Sequence, residues 1–431
     1  MYDIFSLNDI KFPEGFLWGT STAGHQIEGN NSNSQNWLYE LEHYSNDPTG
    51  IRKPSGMACN HWNMVDEDTE LLAKTGSQAY RMSVEWSRIQ PSEGEFSQEA
   101  IDHYLYELNK IKEKGIKIFM TMIHFTVPIW FDKLGGLTKI ENVKYFETYL
   151  EKVVPIFAPY VDGWNVLNEE FGYREPTPEN NEKRLAVMKF HARGYHIIKK
   201  YSNAPISSAH AFIMYEPQRK RDKFDSVLSE MMDIYGNEWM LHAIRTGEIV
   251  IPYYGGFYDK EVKDSMDFWA INIYTRTGID AREPNWRGKR YDHKKLDLLG
   301  DMDFYLNEFE PEVIIHQLSR LKDKPVYITE NGCSCFDDRW RIVYEALYLN
   351  ALREVMDMGV DVRGYFYWSL MDNYEWSSFQ PRFGLIDVDF QTFKRTMKPS
   401  ASFYREVIEN NGVSQELIRK YLKEMPTLAK L

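Results

Sequence analysis

The chain is poor in cysteine, in long apolar runs and in positive charge, and each shortage removes a class of protein. Three cysteines, Cys59, Cys333 and Cys335, among 431 residues cannot build a disulfide framework, and a chain this long does not need one. No stretch approaches the roughly 18 uncharged apolar residues of a membrane-crossing helix. The opening, Met1 to Pro13, carries Asp3, Asn8, Asp9 and Lys11 and has no basic start followed by an apolar run, so it does not read as a secretory signal. A reducing, cytoplasmic compartment is the expectation. Acidic side chains outnumber basic ones by 64 to 51, a formal charge of −13, which repels phosphate backbones and anionic lipid. Nucleic acid and membrane are therefore not expected partners. Low-complexity tracts, clean internal repeats and a Pro/Gly/Ser linker that could divide domains are also missing.

What is present is a globular balance of 43% hydrophobic and 27% charged residues, with ample apolar mass for a core. The length allows two or three ordinary domains or one (β/α)₈ barrel with long loops. Short β-like runs begin near Phe16, Ala79, Lys117, Gly163, Ala204, Phe268, Pro325 and Val362. Each is followed by enough chain for a crossover helix and two loops. Such alternation argues for a parallel sheet with helices outside it. The runs are near-continuously apolar, as in Lys117 to His124 and Pro325 to Glu330, each ended by a polar residue, which suits strands buried on both faces. Helical spacing is visible at Thr69 to Lys74, before Gly76, and from Asp337 to Met358, before Gly359. Glu175 to Asn181, with its two prolines, reads as a surface loop. The expected fold is thus α/β, a single (β/α)₈ barrel domain over residues 1–431 with elongated loops after the strands.

In a barrel of this kind the active site gathers at the C-terminal ends of the strands. The residues ending these runs are rich in groups that can do chemistry: Gln26 and Glu28 after the first, Arg81 and Glu85 in and after the second, His124 after the third. Asn168, Glu169 and Glu170 end the fourth, Asn272 and Tyr274 the sixth, Glu330 and Asn331 the seventh, and Trp368 the eighth. Glu169 and Glu330 could face each other across the mouth. Two carboxyls at neighbouring sites, one protonated and one ionised, are the machinery of glycoside hydrolysis. Asn, Gln, His and Glu side chains suit vicinal hydroxyls, and aromatics, at 15% of the chain, offer faces for the C–H surfaces of a sugar.

Several segments resemble glycoside hydrolase family 1, the β-glucosidase family, from Phe12 to about Val407. They are Phe16 to Gly29 (FLWGTSTAGHQIEG), Tyr80 to Arg88 (YRMSVEWSR), Leu167-Asn-Glu169, Ile328 to Gly332 (ITENG), Gly364 to Trp376 (GYFYWSLMDNYEW) and Arg382 to Leu385. The resemblance implies a barrel that cleaves neutral β-glycosides with retention, through a covalent glycosyl-enzyme and without a cofactor. Position by position it makes Glu330 the nucleophile and Glu169 the acid/base. Arg81 would hold Glu330 ionised and Tyr274 would orient it. Asn168 would meet the 2-hydroxyl. Gln26, His124, Asn272, Glu375 and Trp376 would contact the remaining hydroxyls, with Trp368 beneath the ring. The partner would be a small β-glycoside or short oligosaccharide, glucosides first and galactosides or fucosides next. A transglycosylase with the same site, a 6-phospho-β-glycosidase and a silent sugar-binding relative are the alternatives.

The chain departs from the family pattern in three places. Phe125 stands where an indole is usual and cannot donate a hydrogen bond, which should loosen discrimination at one hydroxyl. Glu170 replaces a usual proline and would either raise the affinity of Glu169 for its proton or point into solvent. The stretch from Glu375 to Arg382 is one residue short. Glu375, read as an anion, would repel a sugar phosphate. Cys333 and Cys335 have no second Cys/His pair to complete a metal site. The basic run Arg276, Arg282, Arg287, Lys289, Arg290, Lys294, Lys295 reads as a solvated loop.

Overall fold

In the computed structural model, which describes residues 3–172, 174–286 and 309–426, eight parallel strands close into a barrel. They are β1 (Leu17–Ser21), β2 (Ala79–Ser83), β3 (Lys117–Ile123), β4 (Gly163–Asn168), β5 (Ile206–Ala211), β6 (Trp269–Asn272), β7 (Val326–Asn331) and β8 (Val362–Trp368). Each pairs with its neighbours in chain order, and β8 closes on β1 through Gly364 to Trp368 against Leu17 to Ser21. All eight runs expected from the sequence are strands, shifted by at most two residues at their starts. The fifth begins at Ile206 rather than Ala204, because Pro205 has no N–H for the ladder.

The barrel is filled. Phe119, Phe268 and Phe366 pack with Ala79, Ala209 and Ala270 into a small inner core, the Phe119 and Phe366 rings 4.9 Å apart. Gly163 makes room for this layer, since a Cβ there would lie 2.5 Å from the Phe119 ring. A much larger core lies between strands and helices, where Trp86, Phe131, Phe146, Tyr149 and Phe190 interlock. Burial of this apolar area is the main favourable term for the fold.

The helical stretches read from spacing are Val65–Lys74 and Arg339–Asp357. One loop reading needs correction. Pro178 is the first residue of a 24-residue helix, Pro178–Tyr201, whose N-cap Thr177 accepts from the Asn180 N–H at 3.2 Å. The fixed φ of proline suits the first helical turn, so Thr177-Pro178 starts the helix and only Glu175 to Thr177 remain loop.

The chain between β5 and β6 is more elaborate than a crossover helix. Met214–Pro217 pairs in parallel with Arg276–Ile279, and Glu248–Ile251 forms a hairpin with Gly255–Tyr258. The basic run is therefore not a plain loop at its start. Arg276 lies in a strand and pairs with Glu216 at 2.8 Å and Glu310 at 3.1 Å, and Arg282 pairs with Asp222 at 2.7 Å. Arg287, Lys289, Arg290, Lys294 and Lys295 lie outside the described residues. Among the described residues no helix is long and apolar enough to cross a membrane.

Candidate active site

At the C-terminal ends of the strands a cavity of about 360 Å³ is lined by Gln26, His124, Asn168, Glu169, Asn272, Tyr274, Glu330, Trp368, Glu375 and Trp376. These are ten of the eleven site residues expected from the sequence. The eleventh, Arg81, lies buried behind them, its guanidinium on Glu330 and on Asn168 Oδ1, the latter at 2.5 Å. Irregular pairing shapes the rim. The β4–β5 register slips between Asn165 and Asn168, and the β7–β8 register between Ile328 and Asn331. Bulges of this kind re-aim side chains at strand ends. Glu169, Phe125 and Trp376 also carry left-handed backbone, at φ 56°, 67° and 56°, a conformation that persists only where the surroundings enforce it. Gly332 lets the end of β7 approach β8, because a Cβ would lie 1.8 Å from the Trp368 carbonyl oxygen.

The two carboxyls sit in different surroundings. Glu330 accepts from the Arg81 guanidinium on one oxygen and from the Tyr274 hydroxyl at 2.7 Å on the other. Glu169 accepts from Asn272 Nδ2 at 2.8 Å. Burial pushes the Glu169 carboxyl up to about 8, the nearby Glu330 adds to this, and Asn272 and Arg81 oppose it. Its proton is therefore retained at neutral pH.

Glu170 does not point into solvent, and it raises the proton affinity of Glu169 only as a minor contributor. It is buried and paired with Lys183 at 2.9 Å and Arg174 at 3.1 Å. Those cations offset its charge, and its effect on Glu169 is smaller than those of burial and Glu330.

The remaining polar groups form a directed network. Asn168 Oδ1 accepts from Arg81 and from Asn272 Nδ2 at 3.0 Å, so its amide nitrogen faces His124 Nε2 at 3.2 Å. His124 must accept there, which puts its hydrogen on Nδ1. Burial, with Arg81 and His25 nearby, keeps this imidazole neutral. Nδ1 of His124 and Oε1 of Gln26 are both buried and have no partner among the described residues. Gln26 is held from its other end, donating to Asn373 Oδ1 at 2.9 Å and to the Tyr374 carbonyl at 2.8 Å. One unsatisfied donor and one unsatisfied acceptor thus belong to residues lining the cavity. Trp368 Nε1 donates to Glu375 at 3.2 Å. Burial raises the Glu375 carboxyl to about 8, Trp368 opposes this, and Glu330 adds to it.

Phe125 packs edge-on to Trp376 at 4.9 Å and presents only carbon to the cavity. The short segment after Glu375 is a tight turn, with the Glu375 N–H on the Ser378 carbonyl at 2.9 Å.

Besides Arg81 and Glu170, three strand-end residues singled out in the sequence do not line the cavity. Glu28 pairs with Arg88 at 2.6 Å. Glu85 accepts from the His25 N–H at 2.8 Å, Asn31 at 2.7 Å and Thr126 at 2.6 Å. Asn331 donates to the Ile273 carbonyl and to Tyr344. Conversely, Ala211, Phe212, Ile213, Thr275, Thr277 and Phe383 line it without having been singled out. Ala211 ends β5 and the next two follow it, and β5 is the one strand for which no polar end residue drew attention. Their position was the available signal. Among the described residues no group of three or more His, Cys, Asp or Glu side chains could hold a metal ion.

The sequence model of glycosyl hydrolase family 1 matches residues 8–413. The chain belongs to glycosyl hydrolase family 1. It is 29% identical to β-glucosidase A of Thermotoga maritima, over 94% of this chain and all of that protein. It is 27% identical to a β-galactosidase of Sulfolobus acidocaldarius, over 98% and 99% of the two. Among solved structures, a β-glycosidase from Pyrococcus horikoshii superposes with a TM-score of 0.85 at 32% identity, over 96% of this chain and 98% of that one. A Thermotoga maritima family 1 glycoside hydrolase complexed with a cyclophellitol analogue transition state mimic gives 0.84 at 28% identity, over 94% and 100%. The chain is accordingly a family 1 glycoside hydrolase, a β-glycosidase on a (β/α)₈ barrel.

Proposed function

We propose that this family 1 enzyme is a retaining, exo-acting β-glycosidase of neutral sugars, with Glu330 as nucleophile and Glu169 as acid and then base. The reading rests on the unequal surroundings of the two carboxyls. Glu330 is held by a cation and a phenol, and Glu169 keeps its proton because it is buried beside another carboxyl. Glu330 attacks the anomeric carbon while Glu169 passes its proton to the leaving oxygen. In the resulting ester Glu330 has no charge, which removes one of the causes that hold the proton on Glu169. Glu169 then accepts a proton from the water that releases the sugar, and Glu330 returns as an anion. Asn168 faces the 2-hydroxyl. His124 Nδ1–H and Gln26 Oε1 take a donor and an acceptor role toward other hydroxyls, with Glu375, Trp368 and Trp376.

The sugar is uncharged. The described lining residues include no lysine or arginine that could offset a phosphate dianion. Glu375 excludes phosphate less by repulsion than first expected, since burial keeps it protonated at neutral pH. The printed activities of the relatives make glucosides the first candidate and galactosides the second. We read the chain as one catalytic domain working without a cofactor in a reducing, cytoplasmic compartment, in keeping with three buried free thiols.

Hydrolysis of aryl β-glucoside, galactoside, fucoside, mannoside, xyloside and 6-phosphoglucoside, with the first-formed anomer followed by NMR, tests this. Turnover of neutral sugars with the β anomer appearing first is expected. The α anomer first, or a preference for the phosphorylated sugar, would refute it.

A further inference from the structure

Thr329 precedes Glu330 on β7 and is fully buried, yet it is not among the residues lining the cavity. Its placement follows from a break in register. Ile271 of β6 pairs with Ile328, but Asn272 pairs with Glu330, so Thr329 is the extra residue of a bulge. An extra residue in one strand turns its side chain out of the regular alternation. Here the turned hydroxyl donates to Asn272 Oδ1 at 2.7 Å.

That bond decides which end of the Asn272 amide is which. A hydroxyl can donate to the amide oxygen, and the two amide hydrogens must then point away from it. Both are used: Asn272 Nδ2 lies 3.0 Å from Asn168 Oδ1 and 2.8 Å from Glu169 Oε1. The sequence reading gave Asn272 to the sugar, but its donors are already engaged by protein groups. Turned the other way, the amide would set its oxygen against Asn168 Oδ1, which already accepts from Arg81. We propose that Thr329 is a positioning residue that, through the Asn272 amide, holds the carboxyl of Glu169 in place and governs its release of a proton. The inference rests on Glu169 being the acid/base.

The charged and titratable groups around Glu169 are Glu330 on β7, Arg81 on β2, Tyr274 after β6 and its neighbour Glu170. None of these contacts depends on the Thr329 hydroxyl. The Asn272 N–H favours the ionised carboxylate, so weakening it raises the affinity of Glu169 for its proton, and the alkaline limb of the rate profile moves to higher pH.

The test is the pH dependence of kcat/KM for Thr329→Val and Thr329→Ser. It is measured on phenyl β-glucoside, whose leaving group needs a proton, and on 2,4-dinitrophenyl β-glucoside, whose leaving group does not. For Thr329→Val the alkaline limb should rise by about 1 pH unit. The phenyl substrate should lose roughly tenfold while the dinitrophenyl substrate stays within about twofold. Thr329→Ser should behave as the parent does. An unmoved limb, or an equal loss on both substrates, overturns the proposal. Should Thr329→Val not fold, Asn272→Ala removes the same donor from its other end and is read the same way, with an unmoved limb again overturning the proposal. Glu169→Gln separates the two layers. If it abolishes the limb, a failure of Thr329→Val falls on the positioning role alone. If the limb survives in Glu169→Gln, the acid/base assignment fails and this inference fails with it.

Discussion

Two buried polar clusters in this molecule differ in one respect, and the difference separates what holds the fold from what awaits a substrate. The first lies among the outer elements. His61 sits between Asp68 at 2.8 Å and Glu107 at 3.0 Å, and Arg395 clamps Asp68 at 2.8 and 3.0 Å. None of the four has a buried side-chain atom without a partner. The second lies at the barrel mouth, where Gln26 Oε1, His124 Nδ1 and Arg81 Nε are buried and unpartnered among the described residues. Buried polar atoms are normally satisfied, and two of these three, Gln26 Oε1 and His124 Nδ1, belong to residues lining the cavity. The outer cluster pairs two cations with two carboxylates, whereas the mouth buries three carboxyls beside the single cation Arg81, with Glu330 ionised against it and Glu169 and Glu375 held protonated at neutral pH by burial. Such an arrangement costs stability and supplies chemistry.

Substitutions sharpen this contrast. The largest effect is expected for Glu330→Gln, which should lower kcat by on the order of 10⁴-fold or more with the circular dichroism spectrum unchanged. Asp68→Ala should do the reverse. It leaves His61 and Arg395 buried without their shared anion and should cost about 3–5 kcal/mol by chemical denaturation, while kcat/KM stays within about twofold of the parent. If Asp68→Ala instead abolished turnover in folded protein, the division into two kinds of cluster would be wrong.

Charge removal at the mouth should have the opposite sign for stability. Glu375 has a folded value of about 8 against 4.5 for the free side chain. Its neutral form is favoured by folding, so its burden is absent below about pH 4.5, grows as pH rises and is complete above about pH 8. Glu375→Gln should therefore stabilise the protein at pH 8, by about 4 kcal/mol, and have almost no such effect at pH 4.5, while binding of the sugar weakens. Equal unfolding midpoints at pH 8 would count against it.

The smallest effect concerns His61. Burial opposes its charge, but Glu107 and Asp68 outweigh that and raise it to about 10 from 6.5. Its contribution to stability is fully present below about pH 6.5 and is lost as pH rises through about 10. The stability difference between parent and His61→Gln should shrink steadily over that range. A constant difference would show that His61 acts through packing alone.

Much of this was legible in the sequence, and the exceptions share a cause. Continuous apolar runs located all eight strands because each is buried on both faces. The residues singled out at their ends supply eight of the seventeen that line the cavity, because a barrel collects its strand ends in one place. Glu28, Glu85 and Asn331 looked equally able to act, but side-chain direction at a strand end depends on local register and on distant partners such as Arg88, Tyr104 and Tyr344. The bulge at Thr329 and the slip before Asn168 leave no mark in composition or spacing, although they aim the groups that matter. Glu170 was unreadable for the same reason, since its cations, Lys183 and Arg174, come from the helix that Thr177 and Pro178 start and from the loop before it. Phe212 and Ile213 escaped notice because apolar residues following an apolar strand look like more core.

The most direct measurement is to trap the covalent intermediate. The protein is incubated with 2,4-dinitrophenyl 2-deoxy-2-fluoro-β-glucoside, whose fluorine slows both steps while the good leaving group keeps the first one accessible. Peptide mass spectrometry then locates the attached sugar. A single fluoroglucosyl adduct on the peptide containing Glu330, absent from Glu330→Gln and still formed by Glu169→Gln, is the predicted result. An adduct on Glu169, or burst release of dinitrophenol with no adduct on any carboxyl, would contradict the assignment of the two roles.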